Sequence, residues 1–146
     1  MLEEFIGSGR VQGHYLAEVP VGDGKHIDLV CFEGLAIPGK RISYISRPGY
    51  LDVPSVQQLI VSLKKPGVRR IIQCADEAGC RRCWIIEGKR TLCPEAIGQV
   101  FAYSKLFITT YRPYPDLDVS SAIVFKQGDK DLETICSDAA ITLFKV

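Results

Sequence analysis

Cys83-Trp84-Ile85-Ile86-Glu87-Gly88-Lys89 is the segment around which the architecture of this chain is organised. It is an apolar run of strand length that ends in an acid and a base two residues apart. Side chains on a strand alternate between faces, so Glu87 and Lys89 project side by side, a carboxylate next to an ammonium. Upstream, Lys25-His26-Ile27-Asp28-Leu29-Val30 reads as a second strand. Asp28 is a charge among its apolar residues and must be paired, hydrated or bound to a metal. Two carboxylates and a lysine converging on one sheet edge suit a divalent-metal hydrolase acting on a phosphodiester.

Working outward, Pro94 to Phe107 has helical periodicity and places Gln99 and Tyr103 four apart on one face, with Ile97, Val100 and Phe101 on the face that packs on the sheet. His14 to Val19 and His26 to Phe32 read as strands of a hairpin around Gly22-Asp23-Gly24. Arg41 to Ser46 forms a further strand ended by Pro48-Gly49. Ser55 to Gln58 offers a capping box for a helix through Val56, Leu59, Ile60 and Leu63, stopped at Pro66-Gly67. Arg69 to Cys74 is expected as a strand. Val119 to Phe125, a helix carrying Leu132, Ile135, Cys136 and Ala139, and Ile141 to Val146 complete a strand-helix-strand unit. The pattern is α/β, a mixed sheet flanked by helices. No repeat, low-complexity tract or linker divides residues 1 to 146, which read as a single domain.

The order Ile-Asp-Leu-Val at 27 to 30, Ile-Ile-Glu-Gly-Lys at 85 to 89 and Ala-Ile-Gly-Gln-Val-Phe-Ala-Tyr at 96 to 103 resembles the PD-(D/E)XK nuclease superfamily. It is closest to RecB-like members, which carry a Gln-x-x-x-Tyr helix after the catalytic strand. The resemblance spans residues 18 to 107 and implies a restriction-endonuclease-like fold with an insertion, residues 34 to 80, between the two catalytic strands. It also implies a metal-dependent deoxyribonuclease. Asp28 and Glu87 would bind Mg²⁺ or Mn²⁺, and Lys89 would orient the attacking water or stabilise charge on the phosphorane-like transition state. Glu18 matches a helper acid that many members place upstream of the aspartate. Gln99 and Tyr103 would contact the DNA backbone or support Lys89, and a small domain of this kind often grips a duplex as a homodimer. Gly88 departs from the usual apolar residue between acid and lysine, and a strand glycine marks a bulge or a close backbone approach.

Composition bounds the partners. At 146 residues, 47% apolar and 24% charged, the chain is an ordinary globular domain. It has no apolar stretch of membrane-span length, and Glu3 and Glu4 stand where a signal peptide has basic residues, so a cytoplasmic protein is expected. The net charge of +1 does not advertise nucleic-acid binding. Lys64, Lys65, Arg69, Arg70, Arg81, Arg82, Lys89 and Arg90 nevertheless share one stretch, either a local basic surface around an acidic pocket or a solvated face.

Cysteines supply a rival signal. Cys80-Arg81-Arg82-Cys83, with Cys74 before it, has the spacing of a zinc or redox knuckle, while a straight strand carries Cys93 about 30 Å from Cys83. A knuckle, a disulfide and plain reduced thiols are the three readings. Cys31 and Cys136 lie in apolar patterns. His26 shares the face of Asp28, as a metal ligand or as a hydrogen-bonded strand histidine. Tyr111-Arg112-Pro113-Tyr114-Pro115 is a loop that stacks on a base or packs on the sheet. Two alternatives to a nuclease follow: a non-catalytic interaction module on the same fold, and a thiol or zinc regulatory protein.

Overall fold

Alternation along one strand, β4 (Arg82–Thr91), divides the molecule into two layers. Cys83 and Ile85 enter one core cluster, while Trp84 and Ile86 enter the other. The computed structural model describes residues 1–44 and 64–146. Helix α1 (Leu2–Ser8) leads into the hairpin β1 (Gly13–Val21) and β2 (Lys25–Glu33), then a short strand β3 (Ile42–Tyr44). Helix α2 (Lys64–Glu77) precedes β4, and α3 (Pro94–Tyr111), β5 (Asp118–Gln127), α4 (Lys130–Asp138) and β6 (Ile141–Lys145) follow it.

Among the described residues the strands form one six-stranded sheet in the order β3-β1-β2-β4-β5-β6. The β1-β2 and β2-β4 ladders are antiparallel; β1-β3, β4-β5 and β5-β6 are parallel. The architecture is therefore α/β with a mixed sheet. Helices α2, α3 and α4 cover one face through Val68, Ile72, Ala96, Val100, Phe107 and Cys136. The short α1 covers the other through Phe5 and Ile6. No helix among the described residues is long and apolar enough to cross a membrane.

The starts of α3 and α4 have local causes. Pro94 opens α3, where its missing N–H breaks no helical bond. Asp129 caps α4, accepting from the N–H groups of Asp131 and Leu132. The hairpin turn is the expected one, with Gly22 at φ +54° and Gly24 at φ +65°.

Several expectations are corrected. Arg69 to Cys74 is helical, inside α2. Val68, Ile72 and Ala75 recur at helical spacing and are buried together, and this outweighs the strand-like Ile71-Ile72 pair. Pro66-Gly67 lies inside α2 and the helix runs on through it to Glu77. Phe101 is 56% exposed with Lys105 over its ring, and Ile135 is 50% exposed. The buried stripe of α3 runs instead through Ala96, Val100, Ser104, Phe107 and Tyr111. Small Ser104 bonds Ser121 Oγ at 2.6 Å, so the helix meets β5 on that stripe. Val56, Leu59, Ile60, Leu63 and Pro48-Gly49 lie outside the described residues.

The hairpin does not stay flat. Leu16 and Ala17 contact opposite layers, as strand neighbours should, but Ala17 and Val19 also do, and so do Leu29 and Ile27 across the ladder. Residues two apart share a face on a regular strand, so both strands bend between these positions, at Glu18 and Asp28. The bend keeps the register, with Ala17 opposite Leu29 and Val19 opposite Ile27. It is written in the backbone as φ +56° at Glu18. Beyond it the hairpin tip curls onto the helical layer, where Gly22 N–H donates to Thr110 Oγ1 at 3.3 Å and Lys65 Nζ donates to Gly22 O at 3.1 Å.

Candidate active site

The β2-β4 ladder ends at Leu29 opposite Ile86, and one step further sets Asp28 against Glu87. Three hydrogen bonds lock this point. Asp28 N–H donates to Glu87 Oε1 at 3.3 Å, Gly88 N–H donates to Asp28 Oδ2 at 2.9 Å, and Gln99 Nε2 donates to Glu87 Oε2 at 3.0 Å. Strand alternation turns Glu87 toward the layer that holds α3, and the second turn of α3 supplies Gln99. Glu87 has no exposed surface, whereas Asp28 is half-buried.

Burial is the chief reason that the Glu87 carboxyl is pushed up, to about 8, and the Asp28 carboxylate beside it pushes the same way. The Asp28 N–H bond and the charge of Lys89 act against that rise. Lys89 is half-buried, two residues along the same strand and so on the same face as Glu87, paired in the ladder with Phe125. The site thus holds two hard oxygen donor groups, a nearby ammonium and a neutral amide.

Glu18 lies across the hairpin from Asp28, bracketed by the pairs Ala17-Leu29 and Val19-Ile27, and is partly buried on its left-handed backbone. Tyr103 is one turn beyond Gln99 and packs half-buried against the helical-side core. His26 is exposed, opposite Pro20. Gly88 marks a close approach: a Cβ there would stand 2.9 Å from Leu2 Cδ2 and 3.0 Å from Met1 Cε, because α1 sits on that side of β4.

Arg69 and Arg82 of the basic stretch lie away from the acids. Arg82 starts β4 and Lys89 is near its end, about 23 Å away at strand rise. Arg82 stacks over Trp84 and lies 3.8 Å from Asp118, while Arg69 lies over the Tyr111 ring. Three surface clefts are lined by other groups, one by Gln12 and Lys40, one by Ile108 and Tyr114, one by Glu33 and Arg82; the acid pair lines none of them.

All six cysteines are free thiols. Cys80 Sγ donates to Glu33 O and Arg82 O, each at 3.3 Å, and Cys83 is fully buried, its thiol pushed well up by that burial. Cys74 is exposed on α2. Among the described residues no three His, Cys, Asp or Glu side chains form a group that could hold a metal. Tyr111, expected in a loop, ends α3 and donates to Pro20 O, and Tyr114 in the loop after it donates to Cys80 O, so both aromatics pack on the fold.

The sequence reading brought Asp28, Glu87 and Lys89 to one place but missed two features. The bond from Gln99 to Glu87 leaves no trace in residue type. The bend at Glu18 does leave one, since Val19 and Val21 resume the apolar spacing out of phase with Leu16. Compared with protein-family models, curated proteins and solved structures, the chain shows no significant match to any.

Proposed function

We propose that this protein is a divalent-metal-dependent nuclease that hydrolyses DNA phosphodiester bonds in the manner of the PD-(D/E)XK superfamily. The observation that carries the reading is the adjacency of Asp28 and Glu87, cross-bonded at 3.3 and 2.9 Å, with Lys89 two residues on. Two carboxylates are a donor set that fits Mg²⁺ or Mn²⁺, which prefer oxygen ligands and retain waters and substrate phosphate oxygens in their remaining positions. A bound cation would supply polarisation of the phosphate and a more acidic water. Asp28 and Glu87 would hold it. Lys89, on the same face, would orient the attacking water and offset charge on the phosphoryl oxygens. Glu18, across the hairpin, is the helper acid of the resemblance and stands outside any three-ligand group among the described residues, and Tyr103 is the candidate contact to the DNA backbone. A cytoplasmic homodimer binding duplex DNA completes the proposal.

One observation favours a second reading, a non-catalytic module on the same fold. Both Glu87 oxygens already accept hydrogen bonds inside the protein, as those of a purely structural acid would. Cleavage of linear, circular and single-stranded DNA with Mg²⁺, with Mn²⁺ and with chelator separates the two. Metal-dependent cutting lost in Lys89→Ala supports the nuclease. Absence of cutting under every condition, or cutting indifferent to Lys89, favours the module.

A further inference from the structure

We propose that Gln99 is a positioning residue that orients the Glu87 carboxylate toward Asp28 for a divalent cation, and is not a contact to DNA. The inference rests on the metal-site reading of Asp28 and Glu87. Its ground is the 3.0 Å bond from Gln99 Nε2 to Glu87 Oε2, made to a carboxylate with no exposed surface. The last torsion of a glutamate is broad and nearly two-fold, so a buried carboxylate needs external partners to fix its plane. Glu87 has one on each side: the Asp28 N–H holds Oε1 at 3.3 Å, and Gln99 holds Oε2. The Asp28 donor is backbone and stays with the ladder. Gln99 is the side chain that completes the clamp, and it leaves Oε1 turned toward the second acid.

The helix is suited to this task. Ala96 and Val100, flanking Gln99 on α3, are both fully buried, so the amide projects from an anchored turn. The amide is also neutral. It donates to the acid without adding a positive charge that would repel a cation, as a lysine or arginine would. Outer partners of metal-binding carboxylates typically change metal affinity by about 10- to 100-fold when removed.

The test is Mn²⁺ titration, followed by the paramagnetic resonance signal of free Mn²⁺, on the full chain without DNA. Wild type, Glu87→Gln, Gln99→Met and Gln99→Asn are compared, with duplex DNA affinity in chelator and thermal midpoints measured in parallel. Methionine keeps the volume of glutamine and removes the donor; asparagine keeps the amide and withdraws it by one methylene. The expected result is saturable wild-type binding lost in Glu87→Gln, with both Gln99 variants weakened about 10- to 100-fold and DNA affinity unchanged. Wild-type Mn²⁺ affinity in Gln99→Met, with weakened DNA binding, overturns the positioning role and leaves the metal site standing. Failure of wild type to bind Mn²⁺ at Glu87 overturns the metal site and the inference together.

Discussion

Asp28 and Gly88 are joined across the central ladder by a bond from the glycine N–H to Asp28 Oδ2 at 2.9 Å. An acid proposed to hold metal therefore also satisfies a backbone donor of the strand that carries the other acid. Asp28→Ala leaves that N–H without its acceptor, at about 1 to 3 kcal/mol. Asp28→Asn keeps an oxygen acceptor while removing the charge. Urea denaturation should place Asn close to wild type and Ala well below it, while Mn²⁺ binding is lost in both.

Stability should fall as pH rises through the range set by Glu87. Its carboxyl keeps a proton in the folded state up to about 8, whereas in the unfolded chain it releases it near its ordinary value of 4.5. Between these values the folded state binds more protons, so the unfolding free energy declines with pH and this contribution levels off above 8. Glu87→Gln removes the titration. The difference in melting temperature between the variant and wild type, followed from pH 4 to 9, should grow in favour of the variant across that window and be flat above it.

At position 18 the backbone, not the side chain, decides the order of two variants. A residue with a Cβ is strained at φ +56°, and glycine is not. Glu18→Gly should be more stable than Glu18→Ala by about 1 kcal/mol, the reverse of their order in a regular strand. Chemical denaturation of the pair measures this without reference to whatever the glutamate side chain contacts.

Gly88→Ala should be mildly destabilising, by about 1 kcal/mol, because the new methyl meets the Leu2 side chain at 2.9 Å and that flexible end can yield. Leu2→Ala should absorb the clash. A double-mutant cycle on thermal unfolding should give a coupling of opposite sign to the single-variant loss at Gly88.

The elements legible in the sequence are those whose pattern had one reading. The Gly22-Asp23-Gly24 turn between two apolar runs fixed the hairpin, and the run ending at Glu87 fixed β4. Helix α2 was misread because Ile71-Ile72, taken alone, satisfies strand and helix patterns equally; only Val68 and Ala75 on either side supply the helical period. Phe101 was placed inward with Ile97 and Val100 by helical spacing, yet packing at β5 favoured the small Ser104 one turn away. At the site, the charged pair was visible because charge amid apolar residues stands out. The full burial of Glu87 and the amide that holds it arise from α3 crossing β4, which no local pattern encodes.

The ladder between β2 and β4 also has a kinetic side. It joins residues 59 apart in the chain, whereas the β1-β2 hairpin and the β4-α3-β5 unit close over short loops. Contacts of high sequence separation bear the largest loop-closure entropy and tend to form late. Asp28 and Glu87 sit at this seam, so the pair is complete only once the two halves of the sheet have zipped together. Ligation there would act as a bolt set after closure: it would slow unfolding and leave the rate of folding nearly unchanged.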